Sequence, residues 1–251
     1  MSESAGSAAA ATALVLCKDP PTRQLLLEAF QPFAIRAEMC EEVFAAISLL
    51  EKQKFEAVVV DLLLGERVRL VMDHLHVSRV NRTAVSFAIT SGDNSQASAP
   101  RPDSTFVLHR PLTVSSVTQI LRAAYGLVVR ERRRYFRCPV MVPIFVRAGQ
   151  REELVCQTVN LSEGGLAIRT GAPAGTVLPA AVRFSLPERT REFSMETRVC
   201  WQYEGTGLTG LEFKSIDALQ KSDLQEWLAR KLDETLPENV VALFRAASQS
   251  R

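Results

Sequence analysis

Two arginines, an asparagine, a serine and a glycine stand at spacings that suit capture of a charged, ring-bearing ligand. Arg133 and Arg137 form R-x-x-x-R, and 23 positions after Arg137 comes Asn160-Leu161-Ser162-Glu163-Gly164-Gly165, read as N-x-S-x-x-G. A guanidinium is a rigid planar fork of donors that fits a phosphate or the O6/N7 edge of guanine. Asparagine and serine each donate and accept, and a glycine lets backbone come close. This is binding chemistry without a nucleophile, a general base or a metal set beside it. The chain also lacks G-x-x-x-x-G-K-[ST], H-E-x-x-H and G-x-S-x-G, so the expectation is that it is not an enzyme. Asp73-His74-Leu75-His76 resembles a metal cluster only on paper, because residues two apart point in different directions on a helix.

The elements that must position these residues lie in the second half. Strand-like runs cover Val140 to Val146, Leu154 to Val159, Gly165 to Thr170, Val177 to Phe184, Phe193 to Trp201 and Thr209 to Phe213. Turn signals such as Ala148-Gly149-Gln150, Leu186-Pro187-Glu188 and Gly205-Thr206-Gly207 separate them. Many short strands in succession predict a small antiparallel barrel. A helix over Ala218 to Leu232 follows, with Leu219, Trp227 and Leu228 available to pack on it, and residues 239–251 read as a short amphipathic tail.

The first half alternates strand and helix, the pattern of an α/β sheet with parallel strands. Strands are expected at residues 13–17, 34–39, 56–60, 84–90 and 105–108, and helices at 22–30, 41–53 and 67–76. A long helix from Thr113, its N-cap, to Val129 closes the unit and runs without a Gly/Ser linker into the basic segment. The expected domains are a disordered tail over 1–12, an α/β domain over 13–129, the barrel with its helix over 130–235, and a C-terminal tail over 236–251.

The two motifs, with Val199-Cys200-Trp201 and Gly210-Leu211-Glu212-Phe213 after them, resemble the PilZ family, bacterial receptors for cyclic di-GMP. Every residue type in the motifs suits a doubly anionic ligand with two guanine rings. The resemblance implies roles residue by residue. Arg133 and Arg137 would clamp phosphates and Hoogsteen edges of guanine. Asn160 would bond a guanine edge, Ser162 a phosphate or base group, and Gly165 would keep the turn free of a Cβ that blocks the rings. Where Asn160 stands the family often has Asp, so a charge-assisted bond to guanine N1–H and N2–H is lost. Arg132 and Arg134 flank the motif; stacking on a base or support of a second, intercalated ligand stands beside a plain solvated charge as their reading.

The first half resembles a response-regulator receiver domain, of flavodoxin-like topology, with Asp61 ending a strand and Arg110-Pro111 after the fifth. The departures are specific. The metal-binding acidic pair aligns with Cys17 and Lys18, which offer magnesium no hard oxygen. Lys18 is free to pair with Asp61. Arg110 replaces the lysine that contacts the phosphoryl group, Thr90 or Ser91 stands near the switch hydroxyl, and residues 91–104 suit a mobile loop better than a helix. Asp61 is therefore expected to be a degenerate phosphoacceptor position that is not phosphorylated, in a domain kept for docking or dimerisation.

Composition sets the remaining limits. With 30 Lys and Arg against 28 Asp and Glu the net charge is +2, so positive charge is local: five arginines fall among the eight residues 130–137. Five scattered cysteines without C-x-x-C predict reduced thiols. No apolar run is long enough to span a bilayer, and residues 1–12 lack the basic start of a signal peptide. A cytoplasmic protein without a cofactor, binding cyclic di-GMP and an unidentified downstream protein and able to form a homodimer, is expected. Two rivals stand beside it: a ligand-independent PilZ-like adaptor, and a nucleic-acid binder using residues 130–137 with Tyr135 and Phe136 as stacking groups. The second suits the near-neutral overall charge less well.

Overall fold

The computed structural model describes residues 11–91, 105–147, 153–170, 181–203, 205–236 and 238–249. The chain divides into two compact units, residues 1–132 with 235–251, and residues 133–234.

In the first unit the strands are β1 (Ala11–Leu16), β2 (Ile35–Cys40), β3 (Ala57–Asp61), β4 (Val85–Thr90) and β5 (Thr105–His109). They form one parallel sheet in the order β2-β1-β3-β4-β5, the flavodoxin-like order of doubly wound folds. Burial on both faces explains the unbroken apolar run of Val58, Val59 and Val60, since alternation with polar residues would expose a side to core. The helices are α1 (Pro20–Phe30), α2 (Val43–Lys52), α3 (Arg69–Val77) and α4 (Val114–Tyr135). One core cluster joins Leu14, Leu16, Val58 and Val60 of the sheet to Ala46 and Leu50 of α2 and to Val71 and Leu75 of α3. The α1–β2 connection packs on α4: the Tyr125 hydroxyl donates to the Phe33 carbonyl at 3.1 Å, and their rings lie 4.9 Å apart. Thr113 caps α4, its Oγ1 accepting the Ser116 N–H at 3.1 Å.

Three features differ from the sequence expectations. The first strand begins at Ala11, inside the stretch read as a tail; residues 1–10 lie outside the described residues. Helix α4 continues to Tyr135, so Arg130 to Arg134 are helical. The C-terminal segment is helical as α6 (Glu238–Gln249) and clusters with the first unit, with Val240 buried. The proposed loop at 91–104 lies, except for Ser91, outside the described residues.

In the second unit β6 (Pro143–Arg147), β7 (Leu154–Ser162), β8 (Gly165–Arg169), β9 (Ala181–Ser185), β10 (Glu192–Tyr203) and β11 (Leu208–Ser215) close a barrel in the order β10-β11-β8-β7-β6-β9. Alternate residues point inward, among them Ile144, Val146, Leu166, Ile168, Val182, Phe184, Phe193 and Leu211, all buried. Helix α5 (Ala218–Asp233) begins at Asp217, whose carboxylate accepts the N–H groups of Leu219 and Gln220. It inserts Trp227, fully buried, whose indole N–H donates to the Pro187 carbonyl at 3.0 Å. Leu219, expected on the packing face, is exposed.

Candidate functional site

The end of α4 and the β7–β8 hairpin are tied by backbone. The Cys138 N–H donates to the Leu161 carbonyl at 2.8 Å, and the Leu161 N–H donates back at 2.9 Å. This isolated antiparallel bridge sets Arg137, the last residue of R-x-x-x-R, opposite Ser162. Arg137 and Ser162, 25 positions apart, thus become neighbours. Arg137 is exposed and Arg133 half-buried.

A bulge aims the asparagine. In the β7–β8 pairing Thr158 faces Ile168 while Asn160 faces Ala167, so Val159 is the extra residue. The bulge shifts the alternation by one. Thr158 and Leu161 therefore both point inward and are buried, and Asn160 is carried to the outer face. The buried Oδ1 of Asn160 has no hydrogen-bond partner among the described residues, an arrangement that stands out because such atoms are nearly always satisfied.

Ser162 and Gly165 are placed differently from their implied roles. The Ser162 hydroxyl, buried, donates to the Gly165 carbonyl at 2.9 Å and closes the turn; its lone pairs remain as acceptors. A Cβ on Gly165 would lie 2.1 Å from the Leu211 carbonyl oxygen. The glycine is thus demanded by the close approach of β11, before any ligand is considered.

Arg132 is already engaged. Its Nη1 lies 3.7 Å from Glu56 Oε1, within the first unit. Arg134 is exposed, with its guanidinium 5.8 Å from the Tyr135 ring centre.

One further residue joins the outer face. Asn160 faces Ala167 across β7 and β8, Ala167 faces Gly210 across β8 and β11, and Gly210 faces Trp201 across β11 and β10. Trp201 lies over Gly210, where an added Cβ would come within 2.2 Å of the indole. It is 41% exposed, beside Tyr203 at 5.1 Å between ring centres. The sequence displayed Trp201 as part of a strand pattern; its place in the Asn160 row depends on the pairing of β8 with β11, strands distant in sequence.

The second cluster lies at the carboxyl end of β3, where open α/β sheets hold their ligands. Asp61 is 3% exposed. Its Oδ2 accepts from Arg110 Nη2 at 2.7 Å and from the Cys17 thiol at 3.5 Å, and its Oδ1 accepts the Leu63 N–H at 3.1 Å. Burial, with the Asp61 charge adding to it, pushes the Cys17 thiol up to about 11, so it stays a protonated donor. Arg110 also donates to the Thr22 hydroxyl at 3.0 Å. Thr22 in turn bonds Asp19 through both its hydroxyl and its N–H, which holds the Asp19 carboxyl below the usual range. The pairing of Lys18 with Asp61 is not found: Lys18 reaches Glu42 at 2.9 Å. The longer reach and planar fork of Arg110 bring the cation to Asp61 from the other side. The Thr90 hydroxyl bonds His109 Nδ1 at 3.1 Å. His74 lies 3.7 Å from Glu51, and among the described residues no group of His, Cys, Asp and Glu is arranged to hold a metal.

The architecture is thus a doubly wound α/β unit followed by a closed barrel whose outer face gathers an arginine helix end, an amide and an indole. Residues 131–230 match the PilZ domain model, and the second unit is a PilZ domain. No curated protein matches the chain. Solved structures similar to it include the receiver domain of a sensor histidine kinase from Pseudomonas aeruginosa PAO1, with magnesium in its active-site cleft (15% identity, 47% of this chain and 99% of that one, TM-score 0.37). The PilZ domain of CeSA from a cellulose-synthesising bacterium is similar at 20% identity, over 37% of this chain and 94% of that one, TM-score 0.30. YcgR from Escherichia coli, in complex with c-di-GMP, is similar at 18% identity over 41% of this chain, TM-score 0.34; the match spans 47% of YcgR, about half its length. Among the described residues no helix is long and apolar enough to cross a membrane.

Proposed function

We propose that this protein is a cyclic di-GMP receptor whose PilZ domain holds the ligand between the end of α4 and the β7–β8 hairpin. The observation that carries the reading is the Cys138–Leu161 bridge, which places Arg137 beside the Asn160–Ser162 motif. Arg133 and Arg137 clamp the phosphates and the Hoogsteen edges of guanine. Asn160 offers its unsatisfied Oδ1 to the donors on a guanine edge, a bond that replaces the one the fold leaves unmade. Ser162 accepts through its free lone pairs, and Gly165 contributes by allowing the strand approach that holds the turn. Arg134 remains on the exposed side as a stacking or screening cation. Trp201 adds a flat face for a base at the far end of the Asn160 row.

Ligand capture fixes the last turn of α4, a helix that contributes residues to both units, and so changes what the chain presents to a partner protein. The α/β unit serves that partner without phosphoryl transfer, since Asp61 already holds a cation in its own pocket.

Isothermal titration of the purified protein with cyclic di-GMP, with GTP as control, tests the reading. Saturable heat for the cyclic dinucleotide alone is expected. A folded protein that gives no heat would transfer the role of the barrel to protein contacts, and binding of RNA or DNA with a steep salt slope would point to the arginine segment as a nucleic-acid surface. Small-angle scattering with and without ligand tests the conformational step, and superimposable curves would end it.

A further inference from the structure

The outer face of the barrel carries a second row beside the one that ends at Trp201. Gln157 faces Arg169 across β7 and β8, Arg169 faces Leu208 across β8 and β11, and Leu208 faces Tyr203 across β11 and β10. On β8, β11 and β10 the two rows are offset by two residues, the period that returns a strand to the same face. On β7 the offset is three, from Gln157 to Asn160, because the bulge at Val159 takes up one. Leu166 and Ile168 point into the core and are buried, whereas Arg169, the one cation of β8, is exposed. Its side chain makes no hydrogen bond or ion pair among the described residues. The strand ends around it are held in place. The Thr170 N–H and hydroxyl both donate to the Gly207 carbonyl, at 2.8 and 3.1 Å, which fastens the β10–β11 turn to the end of β8. Gly207 permits this with φ 63°, and an added Cβ would lie 2.3 Å from the Thr170 carbonyl oxygen.

Resting on the ligand assigned above, we infer that Arg169 is a further ligand-binding residue, taking a phosphate that links one base at Asn160 to another on the Trp201–Tyr203 pair. Asn160 lies on β7, and the indole of Trp201 lies over Gly210 on β11, two strand spacings or about 10 Å away. One planar base does not cover both positions, whereas two bases joined through phosphates do. Strand β8 runs between them, and Arg169 is its outward cation. A guanidinium with no bond inside the fold has its whole fork of donors for a phosphate and gives up nothing to bind it. Trp201 and Tyr203 are both exposed, with 5.1 Å between ring centres, and offer stacking faces at the end of the two rows. Every residue of both rows belongs to the second unit. Arg169 thereby favours a ligand with two bases over one that carries a single base.

The test is titration of four full-length proteins with cyclic di-GMP at several salt concentrations: wild type, Arg169→Ala, Arg147→Ala, and Trp201→Ala combined with Tyr203→Ala. All the replaced side chains are exposed, and thermal melting checks that each variant is folded. Arg169→Ala should bind roughly tenfold more weakly, with a salt dependence shallower by about one phosphate contact. The variant without both rings should lose at least as much affinity. Arg147 is exposed on β6, outside both rows, and its removal should change neither quantity. An equal loss in Arg147→Ala would reduce Arg169 to a general charge effect and overturn the assignment. Equal affinity of wild type and Arg169→Ala would also overturn it while leaving the receptor reading intact. Full affinity without the two rings would leave no second base on the pair, and the two-base arrangement would fall. No binding by the folded wild type would reject the ligand itself, a failure of the functional reading that the other outcomes do not share.

Discussion

The chain holds two clusters of charged and polar side chains, and they differ in how they treat their own charge. At the end of β3, Asp61 is closed upon itself: Arg110, Cys17 and the Leu63 N–H supply its bonds inside the unit. On the barrel, Arg137 is exposed and the buried Asn160 Oδ1 lacks a partner among the described residues. A buried acceptor without a partner costs about 1–3 kcal/mol, and a fold keeps such an atom where something outside the chain relieves it. A carboxylate already met by a guanidinium gains little from a new cation or phosphoryl group. The comparison teaches that a cluster satisfied within its own unit and one left open to an outside partner are told apart by which bonds the protein makes with itself.

The comparison breaks most readily at Arg110. Arg110→Ala should leave Asp61 buried without its cation and destabilise the α/β unit by about 3–5 kcal/mol in chemical denaturation. A loss within the range of surface substitutions would mean the pocket is not internally satisfied. In the wild type, acetyl phosphate with Mg²⁺ should add no phosphoryl mass to the intact protein.

Gly165→Ala sharpens the barrel side. Its Cβ meets a backbone oxygen that has no rotamer to move, so the melting of the barrel should show a loss of about 3 kcal/mol even without ligand. A variant of wild-type stability that fails only in binding would return Gly165 to the steric role first expected of it. Arg137→Ala is the converse case, with its side chain exposed. Melting should be unchanged while cyclic di-GMP affinity falls ten- to a hundredfold, about 1.5–3 kcal/mol. Unchanged titration heats would remove the assignment. For Trp201→Ala the expected cost is about 1–2 kcal/mol of ligand affinity from lost stacking, measured by the same titration; equal affinity would leave Trp201 outside the site.

The smallest effect is a pH dependence from Glu56. Burial holds its carboxyl above its ordinary value of 4.5, against the opposing Thr12 N–H, Arg132 and Lys54. The folded state therefore binds the proton more tightly than the unfolded chain. This contribution to stability is fully present below 4.5 and is lost as pH rises through the higher folded value. Denaturation of Glu56→Gln across that range should lack this component, and identical profiles for variant and wild type would show that Glu56 is not shifted.

Legibility followed the range of the interactions. The unbroken run of Val58 to Val60 and the short strands of the second half carry their periods locally, and the parallel sheet and barrel are both found. Thr113 as an N-cap was equally local. Lys18 was matched to Asp61 through the receiver resemblance, whereas the observed partner is Arg110, and Lys18 pairs with Glu42 instead; both candidates lie more than forty positions from Asp61, so sequence distance did not separate them. The bulge at Val159 left no mark, since Val159 is an ordinary strand residue and only pairing with β8 makes it the extra one. Glu56 before an apolar strand read as a strand end; its bond to Arg132 spans α4 and the sheet.

From the sequence alone came the kinds of residue that a dinucleotide site needs, their order, and the strands that carry them, because residue chemistry and hydrophobic period act over a few neighbours. Only the tertiary structure decided which of those residues are available: Arg132 is held by Glu56, Ser162 by the Gly165 carbonyl, and Asp61 by Arg110. Availability is a balance of bonds between distant segments, and that balance exists only once the chain has brought them together.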